Sequence, residues 1–176
     1  RIILVCSRGN CLSIGALELM LQIDELLSTK SNLSNEAINH IKKIASDWHL
    51  IADLSFADLA IWVTSKSGNY LAAAQVRAAT AATVFPKDFV GDEVTELFHG
   101  EGVDYFPIKF HGEVIAQIAR HHNKNATRSS GRLEAEYQAI AQQLLDMVGE
   151  GSFPFAIAIS SLNPSPRVGD GFIRLD

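Results

Sequence analysis

The clearest pattern along the chain is a helical stripe of apolar residues followed by a strand-like run. The stripe consists of Ile38, Ile41, Ile44, Ala45, Trp48, Ile51 and Ala52. Ser34 is a good N-cap, so the pattern predicts a helix from there to about Asp53. The β-branched and aromatic run 60–64 predicts a strand, Ser-Gly-Asn at 67–69 predicts a turn, and 70–76 predicts the returning strand. The apolar face of so long a helix needs a sheet to pack against.

Further along the chain, alternating apolar residues predict a second hairpin. Its strands are expected over Tyr105–Phe110 and Glu113–Arg120, with a reversal at His111-Gly112. Residues 20–30 are predicted to form a short amphipathic helix, and residues 87–97 a loop with a turn or two of helix. Together the elements predict an α+β fold, in which a central antiparallel β-sheet packs against long N- and C-terminal helices.

The closing helix is predicted over about Arg132–Val148, because glycines and a proline follow it. Its expected core-facing stripe consists of Leu133, Tyr137, Ile140, Ala141, Leu144 and Val148. Leu145 and Met147 lie off this stripe and give the helix more apolar surface than one core needs. We therefore expect a homodimer that forms through helical surfaces, namely Asp24–Leu27, the exposed side of Ser34–Asp53, and Arg132–Val148.

Length and composition indicate one globular domain and exclude some partners. The chain has 176 residues, of which 47% are hydrophobic and 20% charged, as in ordinary globular proteins. Its net charge of −5 and the lack of a Lys/Arg cluster argue against nucleic acid as a partner. No apolar run approaches the roughly 20 residues that a membrane-spanning helix needs, so no membrane partner is expected. The two cysteines, Cys6 and Cys11, cannot make a disulfide framework, which favours the cytoplasm.

The first nineteen residues carry the one enzyme-like signal. Cys6 opens the segment CSRGNCLS, which resembles the phosphate loop of low-molecular-weight tyrosine phosphatases. In that loop an Arg six positions after the nucleophilic Cys grips the phosphate, but this chain has Leu12 there. Without that Arg nothing can hold a phosphoryl dianion in a bidentate way. We assign no catalytic residue and no metal site, and a small Cys-dependent phosphatase is kept only as an alternative.

Histidines and carboxylates elsewhere in the chain are weaker candidates for catalytic or phosphoacceptor residues. His121-His122, followed by Lys and Asn, resembles the phosphoacceptor box of one histidine-kinase class. That box must lie on a dimerising helix, whereas this pair is predicted at a strand end. Asp47, Asp53 and Asp58 are interpreted as helix caps or solvated groups rather than as metal ligands or catalytic acids.

Four strings identify the chain with a family. They are WHLIADLSFADLAIWV at 48–63, SGRLEAEY at 130–137, LLDMVGEGSFP at 144–154 and SPRVGDGFIRLD at 165–176. In this order they resemble the N-terminal sensor region of actinobacterial cytoplasmic sensor histidine kinases. In that class a GAF-like domain precedes a PAS domain and the kinase domains, and the response regulator carries an RNA-binding antitermination output domain. The resemblance implies a non-family extension over 1–19, a GAF-like sensor domain over 20–154, and a linker with the first strand of a PAS domain over 155–176.

The resemblance also implies a function. The chain would be the regulatory, signal-sensing domain of a two-component kinase, without catalytic activity or a cofactor of its own. Domains outside this chain would bind ATP and Mg, autophosphorylate, and transfer the phosphoryl group to a response regulator. The expected partners are a second copy, the PAS and kinase domains of the same chain, the response regulator and a small-molecule ligand. As an alternative, the same domain serves only for dimerisation and scaffolding, with no ligand.

Five residues on the predicted strands are the candidates for ligand binding, because an apolar cavity needs a few orienting contacts. They are Trp62, Gln75, Arg77, Tyr105 and Arg120. The alternative interpretation places both aromatic residues in the core and the arginines at the sheet edge. Family members carry a longer segment than residues 83–103 provide, and GAF folds bind ligands beside that segment.

Two terminal segments complete the predictions. Residues 1–19 are expected to be dispensable for the fold. Pro164 and Pro166 are expected to stiffen a linker that transmits the signal, because proline fixes φ and disfavours helix in the residue before it. Residues 168–176 are expected to contact their own core little and to pair with an exposed sheet edge, in the same molecule or another copy.

Overall fold

In the computed structural model, which describes residues 11–123 and 131–153, three helices pack on one face of a five-stranded sheet. Side chains are described from Met20 onward. The elements are α1 (Cys11–Lys30), α2 (Asn35–Ser55), β1 (Ala57–Thr64), β2 (Tyr70–Val76), β3 (Glu93–Val94), β4 (Val103–Phe110), β5 (Glu113–His122) and α3 (Arg132–Glu150). Cys6, the proline linker and the expected PAS strand lie outside the described residues.

The predicted main helix is confirmed as α2. Its N-cap Ser34 accepts a hydrogen bond from the backbone N–H of Ala37 at 3.2 Å, which satisfies one of the free donors of the first turn. At the other end Phe56 has a left-handed backbone with φ of 50°, and its N–H bonds the carbonyls of Ala52 and Asp53. The helix buries the apolar stripe expected from the sequence, including Trp48 and Ile51.

The sheet has the strand order β3-β2-β1-β5-β4, and every adjacent pair is antiparallel. Both predicted hairpins are present. His111 and Gly112 both have positive φ, 51° and 83°, as a two-residue turn of this twist requires. The predicted α+β, GAF-like fold class is therefore confirmed, with an antiparallel sheet and helices from both ends of the described chain.

The register assigns each strand residue to one face, because directly paired residues point the same way. Leu59, Ile61 and Val63 of β1 face the helices and join the main core with Ile118 of β5 and Ile108 of β4. Asp58, Ala60 and Trp62 alternate with them and so point to the opposite face. We call that opposite face the distal face.

Two predicted elements were wrong in extent or type. The first helix begins at Cys11 rather than near Met20. Residues 87–97 contain no helix; Glu93–Val94 instead pairs with Tyr70 and Leu71 as the short edge strand β3. The free edge of β2 offers ladder hydrogen bonds there, and this long-range pairing outweighs the local propensity for a helical turn.

The predicted core face of α3 was right at Ala141 and Val148 and wrong in the N-terminal half of the helix. Leu133, Tyr137 and Ile140 are 59%, 38% and 46% exposed, whereas Leu145, expected at a dimer surface, is fully buried with Ala141 and Val148. The helix carries two neighbouring apolar stripes, both with helical spacing, so the pattern alone cannot decide between them. Packing of the C-terminal half of α3 near Pro107 of β4 decides the orientation.

Candidate functional site

The distal face has a floor of alanines at its centre. Ala60 pairs with Ala119 of β5, and Ala72 of β2 pairs with the neighbouring Trp62. All three alanines are fully buried. Their small side chains leave room above the sheet, which larger groups must fill to keep out water.

Residues 78–89, here called the strap, cross this floor and fill that room. Phe85 and Phe89 contact each other edge to face with ring centroids 4.9 Å apart. Phe89 stacks on Trp62 at 5.7 Å, with the two ring planes 13° apart, and Phe85 meets His121 edge to face at 4.9 Å. The two phenylalanines thus occupy the space between a tryptophan and a histidine of the sheet.

The first half of the strap is bonded to two aspartates at the junction of α2 and β1. Asp58, which is 2% exposed, accepts from the Ala78 N–H at 3.0 Å with one carboxylate oxygen. Its other oxygen accepts from the Val84 N–H at 2.7 Å and from the Thr83 hydroxyl. Asp53 in the last turn of α2 accepts from the Ala79 N–H at 2.6 Å.

The second half of the strap is held by two of the predicted site residues. Gln75 accepts from the Phe89 N–H at 3.0 Å and donates to the Asp88 carboxylate at 3.1 Å. Arg77 pairs with the same carboxylate at 2.7 Å and donates to the Phe85 carbonyl at 3.4 Å. The polar groups of Gln75 and Arg77 thus bind the strap.

Two polar atoms under the strap have no hydrogen-bond partner within the described part of the chain. They are Nε1 of Trp62 and Nε2 of His121, and both are buried. Burial lowers the pKa of His121, against an opposing effect of the Asp58 carboxylate. Buried polar groups in native proteins nearly always have a partner, so this pair marks where a bound polar molecule or water would find hydrogen bonds.

The remaining predicted site residues lie apart from each other. Tyr105 is on the distal face, and its hydroxyl donates to the Phe98 carbonyl at 2.8 Å; burial raises its pKa. Arg120 points to the opposite face, where it pairs with Asp104 at 2.9 Å and lies 4.9 Å from the ring centre of Phe106. Its hydrogen bond to Asp104 holds the pKa of that carboxyl below its usual range. The structure therefore brings four of the five candidates to one face and leaves Arg120 on the other.

His121 and His122 lie on β5 rather than on a helix, and they point to opposite faces. His122 Nε2 is 3.4 Å from the Asp104 carboxylate on the helix side. Burial, then the charge of Arg120, lowers the pKa of His122. The pair therefore lacks the helical placement that a phosphoacceptor box needs.

Cavities near the site are small. A space of about 50 Å³ lies beside Trp62, between Tyr70 and Ile115. An open groove of about 440 Å³ lies elsewhere, between α1 and Val90-Gly91, and is lined by none of the five candidate residues. Ligand pockets generally measure about 300–1,000 Å³. Phe85 and Phe89 already occupy the space above the alanine floor, so that space is closed in this conformation.

Asp58 is buried in this site, so its interpretation as a helix cap or solvated group was wrong. His121 was considered only as a phosphoacceptor, and Phe85 and Phe89 were not singled out from the sequence. Asp58 is a charged residue within an otherwise apolar strand, and that contrast is the one local signal for it. Among the described residues, no group of three or more His, Cys, Asp or Glu side chains could hold a metal ion. None of the helices in the described part of the chain has the length and apolar character to cross a membrane.

Comparisons with known proteins relate this chain to a family of histidine kinases. Residues 23–102 match the sequence model of the GAF domain of the histidine kinase PdtaS. The chain is 34% identical over 185 residues to the sensor histidine kinase PdtaS of Mycobacterium tuberculosis, and 33% identical over 184 residues to that of Mycolicibacterium smegmatis. Each match covers 89% of this chain and 37% of the relative, so the chain spans well under half the length of these curated relatives.

A solved structure, described as the sensor region of a sensor histidine kinase, agrees with these matches. Its TM-score is 0.71 at 37% identity, and the match covers 88% of this chain and 62% of the other. The fold and its relatives define a GAF-type sensor domain of the sensor histidine kinase class. More particularly, the chain carries a GAF domain of the PdtaS kind, which confirms the family identified from the sequence.

Proposed function

We propose that this chain is the non-catalytic regulatory region of a sensor histidine kinase that acts in the cytoplasm. Kinase domains beyond residues 1–176 bind ATP and Mg, autophosphorylate, and pass the phosphoryl group to a response regulator. The state of the distal face controls their rate. A small molecule that displaces the strap phenylalanines from the alanine floor is the signal.

The single observation that carries this proposal is the pair of buried, unpartnered nitrogens, Trp62 Nε1 and His121 Nε2, under the strap. Phe85 and Phe89 give the space between them an apolar lining, and the alanine floor leaves depth for a ligand once these rings move. A site of this kind, mainly apolar with a few polar atoms, is the usual form of a small-molecule pocket.

The test is native mass spectrometry of the purified chain, followed by identification of small molecules released on denaturation. Trp62→Phe removes the N–H but keeps an aromatic ring for Phe89, so we expect the retained molecule to be lost. Trp48→Phe is the matched control, because Trp48 is buried in the core on the helix side. A wild-type chain with no retained molecule, or equal retention in both variants, would contradict a ligand site here.

A second candidate function is dimerisation without a ligand, favoured by the closed state of the space above the floor. For this function α3 offers a surface, here called the α3 seam, made of Leu133, Tyr137, Ile140, Leu144 and Met147. Its members are four, three, four and three positions apart, which is the spacing of a coiled-coil seam. None of them belongs to the fully buried stripe.

Light scattering of the purified chain tests this candidate. Ile140→Glu places a charge in the α3 seam, so we expect it to convert a dimer to a monomer. Phe98→Glu is the control, because Phe98 is 67% exposed on the loop between β3 and β4, outside all the helical surfaces expected to form the dimer. A wild-type monomer at high micromolar concentration would remove this candidate.

A further inference from the structure

The strap is held very differently at its two ends. At the end near Phe89, the ion pair between Arg77 and Asp88 leaves their side chains 34% and 53% exposed. Exposed pairs of this kind contribute little and are screened by salt. At the other end, the bonds from Ala78, Thr83 and Val84 reach a carboxylate that is almost completely buried.

Asp58 makes the buried end difficult to release. Both of its oxygens accept hydrogen bonds from the strap, and no Lys or Arg among the described residues forms an ion pair with it. Lifting that end would leave a buried carboxylate without its donors, which costs more than an ordinary hydrogen bond. Beyond Phe89 the chain is tied again to β2, because the Gly91 N–H donates to the Ala72 carbonyl at 2.8 Å and the Ala72 N–H to the Asp92 carbonyl at 3.0 Å. The part of the strap that carries Phe85 and Phe89 therefore opens first, and the Asp58 end acts as the pivot.

The pivot is continuous with the end of α2. Asp53 lies in the last turn of that helix, and it bonds the strap both through its carboxylate to Ala79 and through its carbonyl to the Thr80 hydroxyl, at 2.7 Å. Between the two aspartates, Phe56 has the left-handed backbone that a side chain adopts only when its surroundings hold it there. The segment from Asp53 to Asp58 thus contains the end of α2, the start of β1 and the two aspartates that bind the strap.

We infer that the strap is a lid hinged at Asp58, and that its opening loosens the last turn of α2. This gives the proposed sensor a route from the distal face to the helix layer. Only the use of this route in signalling rests on the proposed function. The hinge itself is inferred from contacts within the chain and requires no ligand. Asn123 donates to the Ala82 carbonyl at 3.0 Å, so the strap also contacts the residue that follows β5.

Amide hydrogen exchange of the purified chain, without added ligand, tests the hinge. Asp58→Asn puts an NH₂ donor against a backbone N–H, so we expect exchange to rise about tenfold or more in residues 79–85 and in the last turn of α2 together. Asp53→Asn is the matched control: it makes the same change of charge nearby, but its amide oxygen can still accept from Ala79. We expect less than about a twofold change there.

Two further variants keep the test decisive. Arg77→Gln weakens the hold on the strap near Phe89 and leaves the Asp58 bonds in place, so exchange should rise most near Phe89 and, by a smaller factor, in the last turn of α2. If Asp58→Asn does not fold, Thr83→Val keeps the carboxylate charged while removing one donor, and a smaller rise in the same two segments is expected. Exchange that rises in the strap alone, or in neither segment, would overturn the inference. Failure of the ligand experiment would leave this result unaffected.

Discussion

The two apolar stripes of α3 differ in what they contact, and paired leucine variants test that assignment quantitatively. Leu145 has no exposed surface and belongs to the main core, so Leu145→Ala removes a buried side chain and leaves a cavity. Such a change costs about 2–5 kcal/mol. For a domain of this size each kcal/mol lowers the melting temperature by about 2–4 °C, so we expect a loss of roughly 4–20 °C.

Leu133→Ala is the matched comparison, because it makes the same chemical change on the same helix. Leu133 is largely exposed and so should cost less than about 0.5 kcal/mol in a monomer. Thermal unfolding followed by circular dichroism, at a concentration where light scattering shows a monomer, measures both. Equal losses for the two variants, or a larger loss for Leu133→Ala, would refute the orientation of α3.

The remaining predictions concern pH and the two ends of the chain. Burial lowers the pKa of His121 below its ordinary 6.5, so the unfolded state takes up the proton first as the pH falls. Stability is therefore expected to be lost as the pH falls from 6.5 towards the folded value, and His121→Phe should reduce this loss in urea titrations at pH 7 and pH 5. Deleting residues 1–19 should lower the melting temperature by no more than a few degrees; a larger drop would show that they support the fold. In the whole protein, replacing Pro164 and Pro166 with glycine should uncouple signal from autophosphorylation; unchanged signal dependence would show that coupling runs through the helices instead.

Local sequence patterns predicted correctly those elements whose conformation depends on residues close together in the chain. The stripe of α2, its cap Ser34 and the turn at residues 67–69 each depend on near neighbours, so their positions could be inferred within a few residues. The formation of β3 depends on the free edge of β2, and the orientation of α3 depends on its packing against distant elements. A local pattern holds no information on these distant contacts, so β3 was missed and the N-terminal half of α3 was assigned the wrong face.

The candidate site could be predicted only in outline. Trp62, Gln75 and Tyr105 were selected as polar or aromatic groups on strands, and alternation does bring them to one face. That Gln75 and Arg77 bind the strap, and that Asp58 anchors it, depends on a segment that folds back over the sheet. Arg120 was selected on the same grounds, but it alternates to the other face.

The central claim is that the distal face of this chain controls a kinase. Its most direct test is the autophosphorylation rate of the whole protein with radiolabelled ATP, for the wild type, Asp58→Asn and Asp53→Asn. Because Asp58→Asn is expected to release the strap, the account predicts a several-fold change in rate for that variant and a rate close to wild type for Asp53→Asn. If hydrogen exchange shows the strap open in Asp58→Asn and all three rates are equal, the claim is contradicted.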